Sequence, residues 1–304
     1  STFHSGRARD LDYSAITGKL TVVSASGGVF RYQGLFPLPI GDNLPFCNIN
    51  SVACQPNDTN IIFIGTGEEG IGNGRGLLRT TNSGVSWQVH PMAPGHETPG
   101  FIYKIRYNNQ NNQIMYAATL NGLQRSIDGG NTWTMRHLGV VTDFVVDPLN
   151  NNIVYASVVG SVSNSGIFLS TDGGGSFNEI GTGLPADNLW GNAKIALSAA
   201  DPSRIYLSLS KPDGTSQGVY RSFNSGSTWF DITPAVNFHG NGLTNQGNRN
   251  NTIGVSQTDA NRIFVGGVKS FISLNMGSNW TQLTTSHGHD DATRFITLPD
   301  GRVY

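Results

Sequence analysis

Charge is scarce in this chain of 304 residues: Asp, Glu, Lys and Arg make up 13% of it, against roughly 25% in an average soluble protein. The formal net charge is −1, so nothing favours a phosphate backbone or an acidic membrane surface, and nucleic acid is excluded as an expected partner. Cysteine is nearly absent. Cys47 and Cys54 make no disulfide framework, and along one strand they would lie roughly 20 Å apart at ~3.3 Å per residue, too far to bridge. No run approaches the ~18 apolar residues of a membrane span, and no segment holds a long amphipathic period, so little helix is expected. The chain lacks an initiator Met and a charged-then-apolar leader before Ser1, as expected of a processed or excised sequence. Nothing in the composition calls for a cofactor.

Glycine, at 39 residues, is abundant against the usual ~7% and signals many tight turns. One eight-residue phrase recurs five times: Ser/Thr, any, Asp/Asn, any, Gly, any, Ser/Thr/Asn, aromatic. It spans Thr80–Trp87, Ser126–Trp133, Ser170–Phe177, Ser222–Trp229 and Ser273–Trp280, with starts 46, 44, 52 and 51 residues apart. Such periods suit four short strands and their turns, the content of a propeller blade.

The phrase has a local rationale. Its third residue (Asn82, Asp128, Asp172, Asn224, Asn275) can bond backbone N–H groups two residues on. Its fifth (Gly84, Gly130, Gly174, Gly226, Gly277) can take positive φ. Its aromatic (Trp87, Trp133, Phe177, Trp229, Trp280) begins the next strand and can pack between blades. Seven apolar second strands are readable, from Leu20–Val23 to Val303-Tyr304. The expectation is an all-β propeller domain over 1–304 with about seven four-stranded blades. The last is incomplete, so the natural chain is expected to continue past Tyr304.

The five phrases resemble the Asp-box, or bacterial neuraminidase repeat. The longer wording is similar to sortilin-like propellers, to the xyloglucanase-type propellers of glycoside hydrolase family 74 (GH74), and to secreted Bacteroidetes propellers exported by type IX secretion. That resemblance implies a secreted or cell-surface protein. Two family features differ here. The acidic residue expected before the first blade's Gly-Gly is missing from Ser24-Ala25-Ser26-Gly27-Gly28, and the late phrase reads His287-Gly288-His289-Asp290-Asp291 instead of His-x-Asp-x-His.

In a propeller the box turns lie at one end of the strands, and the loops that enter each innermost strand gather at the other. Those loops are expected at 1–7, 37–48, 91–100, 137–142, 181–192, 233–251 and 284–292. They carry the candidate ligand-binding residues His96, Trp190, His239, Arg7, Arg249, His287, His289, Asp290 and Asp291, with Glu68 and Glu69 after the second blade's second strand. The His287–Asp291 cluster suits either a transition metal or turn-making hydrogen bonds. Trp190 suits stacking on a sugar ring, plugging the channel or packing on a neighbouring blade. Arg7 and Arg249 suit anion contact or loop bracing. Glu68, Glu69, Asp290 and Asp291 are acids from which a glycosidase pair could be drawn.

Because family catalytic positions are missing, the sequence leans away from an enzyme and toward a binding module for protein or carbohydrate at the cell surface. A glycoside hydrolase acting on polysaccharide and a structural subunit of a surface assembly are the alternatives.

Overall fold

The computed structural model describes residues 8–14, 16–33, 36–45, 48–67, 74–160, 165–185, 190–240, 245–283, 294–295, 297–298 and 300–303. These form six antiparallel sheets of four strands, each in simple sequential order, as in propeller blades. None of the described residues is helical.

The chain divides into two compact units, Ser1–Val141 and Thr142–Tyr304. The first holds β1 (Ala8–Ser14), β2 (Lys19–Ser24), β3 (Gly28–Gln33) and β4 (Phe36–Pro39); β5 (Ile49–Gln55), β6 (Asp58–Thr66), β7 (Leu77–Thr80) and β8 (Gln88–His90); and β9 (Ile102–Tyr107), β10 (Met115–Thr119), β11 (Gly122–Ser126) and β12 (Thr134–Leu138). The sheets of the second are β13 (Val140–Val146) to β16 (Asn178–Ile180) through β14 (Val154–Val159) and β15 (Gly166–Ser170); β17 (Asn192–Ser198), β18 (Asp201–Ser210), β19 (Ser216–Ser222) and β20 (Phe230–Asp231); and β21 (Thr252–Val255), β22 (Ile263–Gly266), β23 (Ser270–Ser273) and β24 (Thr281–Leu283). A bridge between Thr297 and Val303, closed by the Gly301 N–H on the Leu298 carbonyl, begins a seventh blade where the sequence predicts its second strand.

Second strands such as β10, β14 and β22 are buried along their whole length, which is why they read as unbroken apolar runs rather than alternating ones. Fourth strands are short and mostly exposed, as suits an outer edge. Within each unit the core lies between neighbouring sheets. Phe63 and Leu77 of the second sheet pack with Ile102, Ile105 and Met115 of the third, and Val219 and Tyr206 pack with Ile253, Val265 and Phe271.

The five boxes share one hydrogen-bond pattern. The first hydroxyl accepts from the fifth residue's N–H at 2.8–3.0 Å and donates to the third residue's Oδ1. That Oδ1 accepts the N–H of the seventh residue at 2.8–2.9 Å. The reach is therefore four residues, not the two expected from an Asx turn, because two successive residues are left-handed. The fifth-position glycines have φ of 81–89°, and the fourth position is positive as well (Ser83, Gly129, Gly173, Ser225 and Met276 at 56–71°).

A second reason for glycine is close approach. A Cβ on Gly84 would collide with the Ile40 carbonyl, and one on Gly277 with the side chain of Ile232, each at the end of the preceding blade. Trp87 and Trp280 donate their indole N–H to the carbonyls of the same two residues, Ile40 and Ile232, at 3.2 and 2.7 Å. The box thus both closes a hairpin and seats its blade on the one before, placing its residues in structure rather than in chemistry.

Candidate functional site

Within one sheet, the loops that enter first strands and join second to third strands lie at one end, the boxes at the other. In the second unit the described residues of the loop end are 181–185 and 190–192, the Lys211–Thr215 turn, and 233–240 with 245–251. These segments are sewn together. Asn192 Nδ2 donates to the Asn248 carbonyl (2.9 Å), Gly247 N to Gly214 O (2.8 Å) and Gly191 N to Ser210 O (2.7 Å). Trp190, His239 and Arg249, three of the residues singled out from sequence, fall in this one neighbourhood.

At its centre is a buried neutral network. Asn251 Nδ2 donates to the Asn192 and Ser208 carbonyls, which fixes its Oδ1 as an acceptor. That oxygen takes the Ser208 hydroxyl at 2.6 Å and His239 Nε2 at 3.1 Å. His239 therefore carries its proton on Nε2 and presents a bare Nδ1. The ring is fully buried, and burial pulls its pKa down to about 4. The backbone of Gly247 closes over it: a Cβ there would sit 2.8 Å from Nδ1. Four buried polar atoms have no protein partner, namely His239 Nδ1, Ser210 Oγ, Asn192 Oδ1 and the Trp190 indole N–H.

Trp190 is 2% exposed. Its side chain is enclosed in packing, with no face left open as a platform for a sugar. Arg249 is half-buried, and its backbone N–H closes a turn on Gln246 O. In the first unit His96 is half-buried; its carbonyl accepts from Gln124, whose Oε1 holds the Ala93 N–H, so a fully buried glutamine of β11 pins the loop 91–100. Where the sequence places a loop at 137–142, the structure has only Gly139 between β12 and β13, and His137 lies on a strand.

Arg7, Glu68, Glu69, His287, His289, Asp290 and Asp291 lie outside the described residues. Among the described residues no three His, Cys, Asp or Glu side chains come together as a metal site. Sequence reasoning missed Asn192, Ser208, Ser210 and Asn251; the readable signal was polar residues at the ends of otherwise apolar strands.

The first unit has a different concentration of charge. Asp10, 2% exposed, accepts the Ser51 hydroxyl (2.7 Å), the Val52 N–H (3.0 Å) and both terminal nitrogens of Arg106 (2.8 and 2.6 Å). Arg106 also donates to the Val52 and Leu11 carbonyls, so one ion pair joins the first strands of three sheets. Two residues on, Asp12 accepts the Cys54 N–H at 2.7 Å, and its burial raises its pKa despite Arg106 nearby. The Cys54 thiol is buried, donates to Thr21 and is pushed up to about 12, which makes it inert as a nucleophile.

No protein-family model matches the chain. Among curated proteins it is 26% identical over 235 residues to a xyloglucanase of Acetivibrio thermocellus, covering 64% of this chain and 27% of that protein. It is 22% identical over 241 residues to a xyloglucanase of Paenibacillus sp, covering 76% and 21%. Among solved structures, the GH74 enzyme of Niastella koreensis superposes with a TM-score of 0.66 at 22% identity, over 91% of this chain and 45% of that one. The structure described as YCF48 bound to D1 peptide gives 0.57 at 19%, over 91% and 82%.

The fold is thus a β-propeller structurally related to GH74 enzymes. The chain spans between a fifth and about a quarter of the length of the curated relatives just described. The lean away from an enzyme is overturned: the curated proteins it matches by sequence are xyloglucanases. The missing acid at 24–28 counted for too much, because the chain covers only a fraction of those proteins.

Proposed function

We propose that this propeller belongs to a secreted or cell-surface glycoside hydrolase of xyloglucanase type, acting on branched plant-type polysaccharide. The observation that carries the reading is the agreement of two comparisons: xyloglucanases by sequence and GH74 enzymes by fold, over more than nine-tenths of the chain. Hydrolysis of this class uses two carboxyl groups, roughly 5–5.5 Å apart for retention and 6.5–9.5 Å for inversion. Glu68, Glu69, Asp290 and Asp291, at the loop end by sequence, are the acids proposed to contribute. The pair need not lie wholly in this chain.

The loop-end network of the second unit supports the reading as a scaffold. Its neutral, interlocked amides tie these loops to one another around an uncharged centre. A polymer too large to cross a membrane also supports a place outside the cell, with type IX secretion the route that the Bacteroidetes-like wording favours.

The test is a substrate panel with the natural-length protein. Reducing ends and falling viscosity are expected on xyloglucan, with much slower release on unbranched cellulose and none on starch. Tight binding to xyloglucan without any new reducing ends contradicts the proposal.

A further inference from the structure

His239 sits under a cover of its own chain. Residues 245–249 are fastened by three bonds: the Gln246 N–H to the His239 carbonyl (2.7 Å), the Gly247 N–H to Gly214 O (2.8 Å), and the Asn248 carbonyl to Asn192 Nδ2 (2.9 Å). The ring itself stays with the core, stacked on fully buried Phe238 at 4.1 Å between centroids and donating to Asn251.

The bare Nδ1 is the place where a proton would be hard to hold. A Cβ on Gly247 would lie 2.8 Å from Nδ1 and 2.6 Å from Ser210 Cβ, so the cover and Ser210 crowd this nitrogen. A protonated imidazole donates from both nitrogens, and the group beside Nδ1 able to accept is the Ser210 hydroxyl, which is neutral. A buried cation needs a carboxylate or water. The elements around the ring carry Lys194 on β17, Lys211 and Asp213 in the turn after β18, Arg249 in the cover and Lys269 before β23. That is one carboxylate against four cations, and Asp213 is exposed and bonded to Thr215. At the far ends of their strands, Asp201 and Arg204 of β18 pair with each other and Arg221 of β19 bonds the Met276 carbonyl. β21 and β22 carry no charge, and Asp187 lies outside the described residues.

We propose that His239 is an acid latch: when it gains a proton, 245–249 lift from the ring and from the Lys211–Thr215 turn, while the sheets stay folded. The device concerns this chain alone and does not rest on the glycan-acting reading. Closed, the ring has a pKa near 4; opened to water, it returns to the ordinary ~6.5. Opening therefore takes up a proton between those values. The open population rises about tenfold per pH unit as pH falls through that window, and is flat below it.

The test is amide hydrogen exchange of the natural-length protein at several pH values across that window, corrected for the intrinsic pH dependence of exchange. Protection of the Gly247 and Gln246 N–H groups is expected to fall about tenfold per pH unit. The Gly67 N–H, held by Asn48 O at the loop end of the first unit, should keep its protection. Amides of β22 should exchange far more slowly than Gly247 throughout, which marks the opening as local. His239→Gln, which keeps an N–H for Asn251 and cannot take up a proton, should remove the slope at Gly247; the parent profile decides if that variant does not fold. Protection at Gly247 that ignores pH, a slope that survives in His239→Gln, or exchange at Gly247 as slow as in β22, so that the cover opens only with the sheet, overturns the latch.

Discussion

In the first unit a buried carboxylate, Asp10, ties β1 to β5 and, through Arg106, to β9; in the second, β17, β18 and β21 meet around an amide, a hydroxyl and a neutral imidazole. Both units also use the simpler device of a first-strand aspartate accepting an N–H from the next first strand, Asp10 from Val52 and Asp143 from Ile195. The difference lies in what is added. The charged junction sits within the first strands, at Asp10, Ser51 and Val52. The neutral one sits under the loops, where an uncharged polymer is proposed to lie. A buried charge pair adds little net stability when complete but fails severely when one partner is removed, whereas a neutral network is cheaper to perturb and answers to pH through its single imidazole.

The sharpest way to break this comparison is at Arg106. Arg106→Met takes the bidentate counter-ion from buried Asp10, and chemical denaturation should show a loss of about 3–5 kcal/mol. Adding Asp10→Leu should recover much of that loss, because the unpaired charge is gone, though the Val52 N–H is then orphaned at a cost of about 1–3 kcal/mol. A double variant no better than the single one would mean that the pair is not the brace described.

His239 gives the next largest effect. Its folded pKa is near 4 against the ordinary 6.5, so between those values the unfolded chain binds the proton and the folded chain does not. Stability from this group is complete above pH 6.5, declines as pH falls toward 4, and is flat below, a total of roughly 3 kcal/mol. Denaturation midpoints against pH should show that decline, and His239→Gln should flatten it.

The boxes supply the smallest effects. Ser170→Ala removes the hydroxyl that holds both Gly174 N–H and Asp172 and should cost about 1 kcal/mol. Asp172→Asn should stay within about 0.5 kcal/mol, since asparagine makes the same Oδ1 contact in the boxes at Asn82, Asn224 and Asn275. Equal losses at both positions would show that charge, not geometry, closes the turn.

Those magnitudes mirror what could be read from residues alone. The boxes were legible because their bonds span two to four residues and repeat five times. Even so, the second left-handed position was hidden, since Ser83, Ser225 and Met276 are not the residues that normally mark it. Six blades and a started seventh followed from the apolar second strands. The Asp10–Arg106 pair, 96 residues apart in the chain, leaves no local trace, nor does the convergence of Ser208 and Asn251 on His239. Trp190, His239 and Arg249 share one end of the second unit, because strand order alone decides which end of a blade a loop occupies. What each side chain does there depended on burial, and Trp190, expected to stack on a sugar, plug the channel or pack on a neighbouring blade, is enclosed. The lean against catalysis went astray for a different reason: it counted absent acids in a sequence that covers a minor part of its relatives.

The central claim is tested most directly by following product size during incubation of the natural-length protein with xyloglucan. The account predicts a progressive fall in polymer length with one new reducing end per bond cleaved. Polymer that stays intact, under conditions where the protein demonstrably binds it, would contradict the assignment to glycoside hydrolysis.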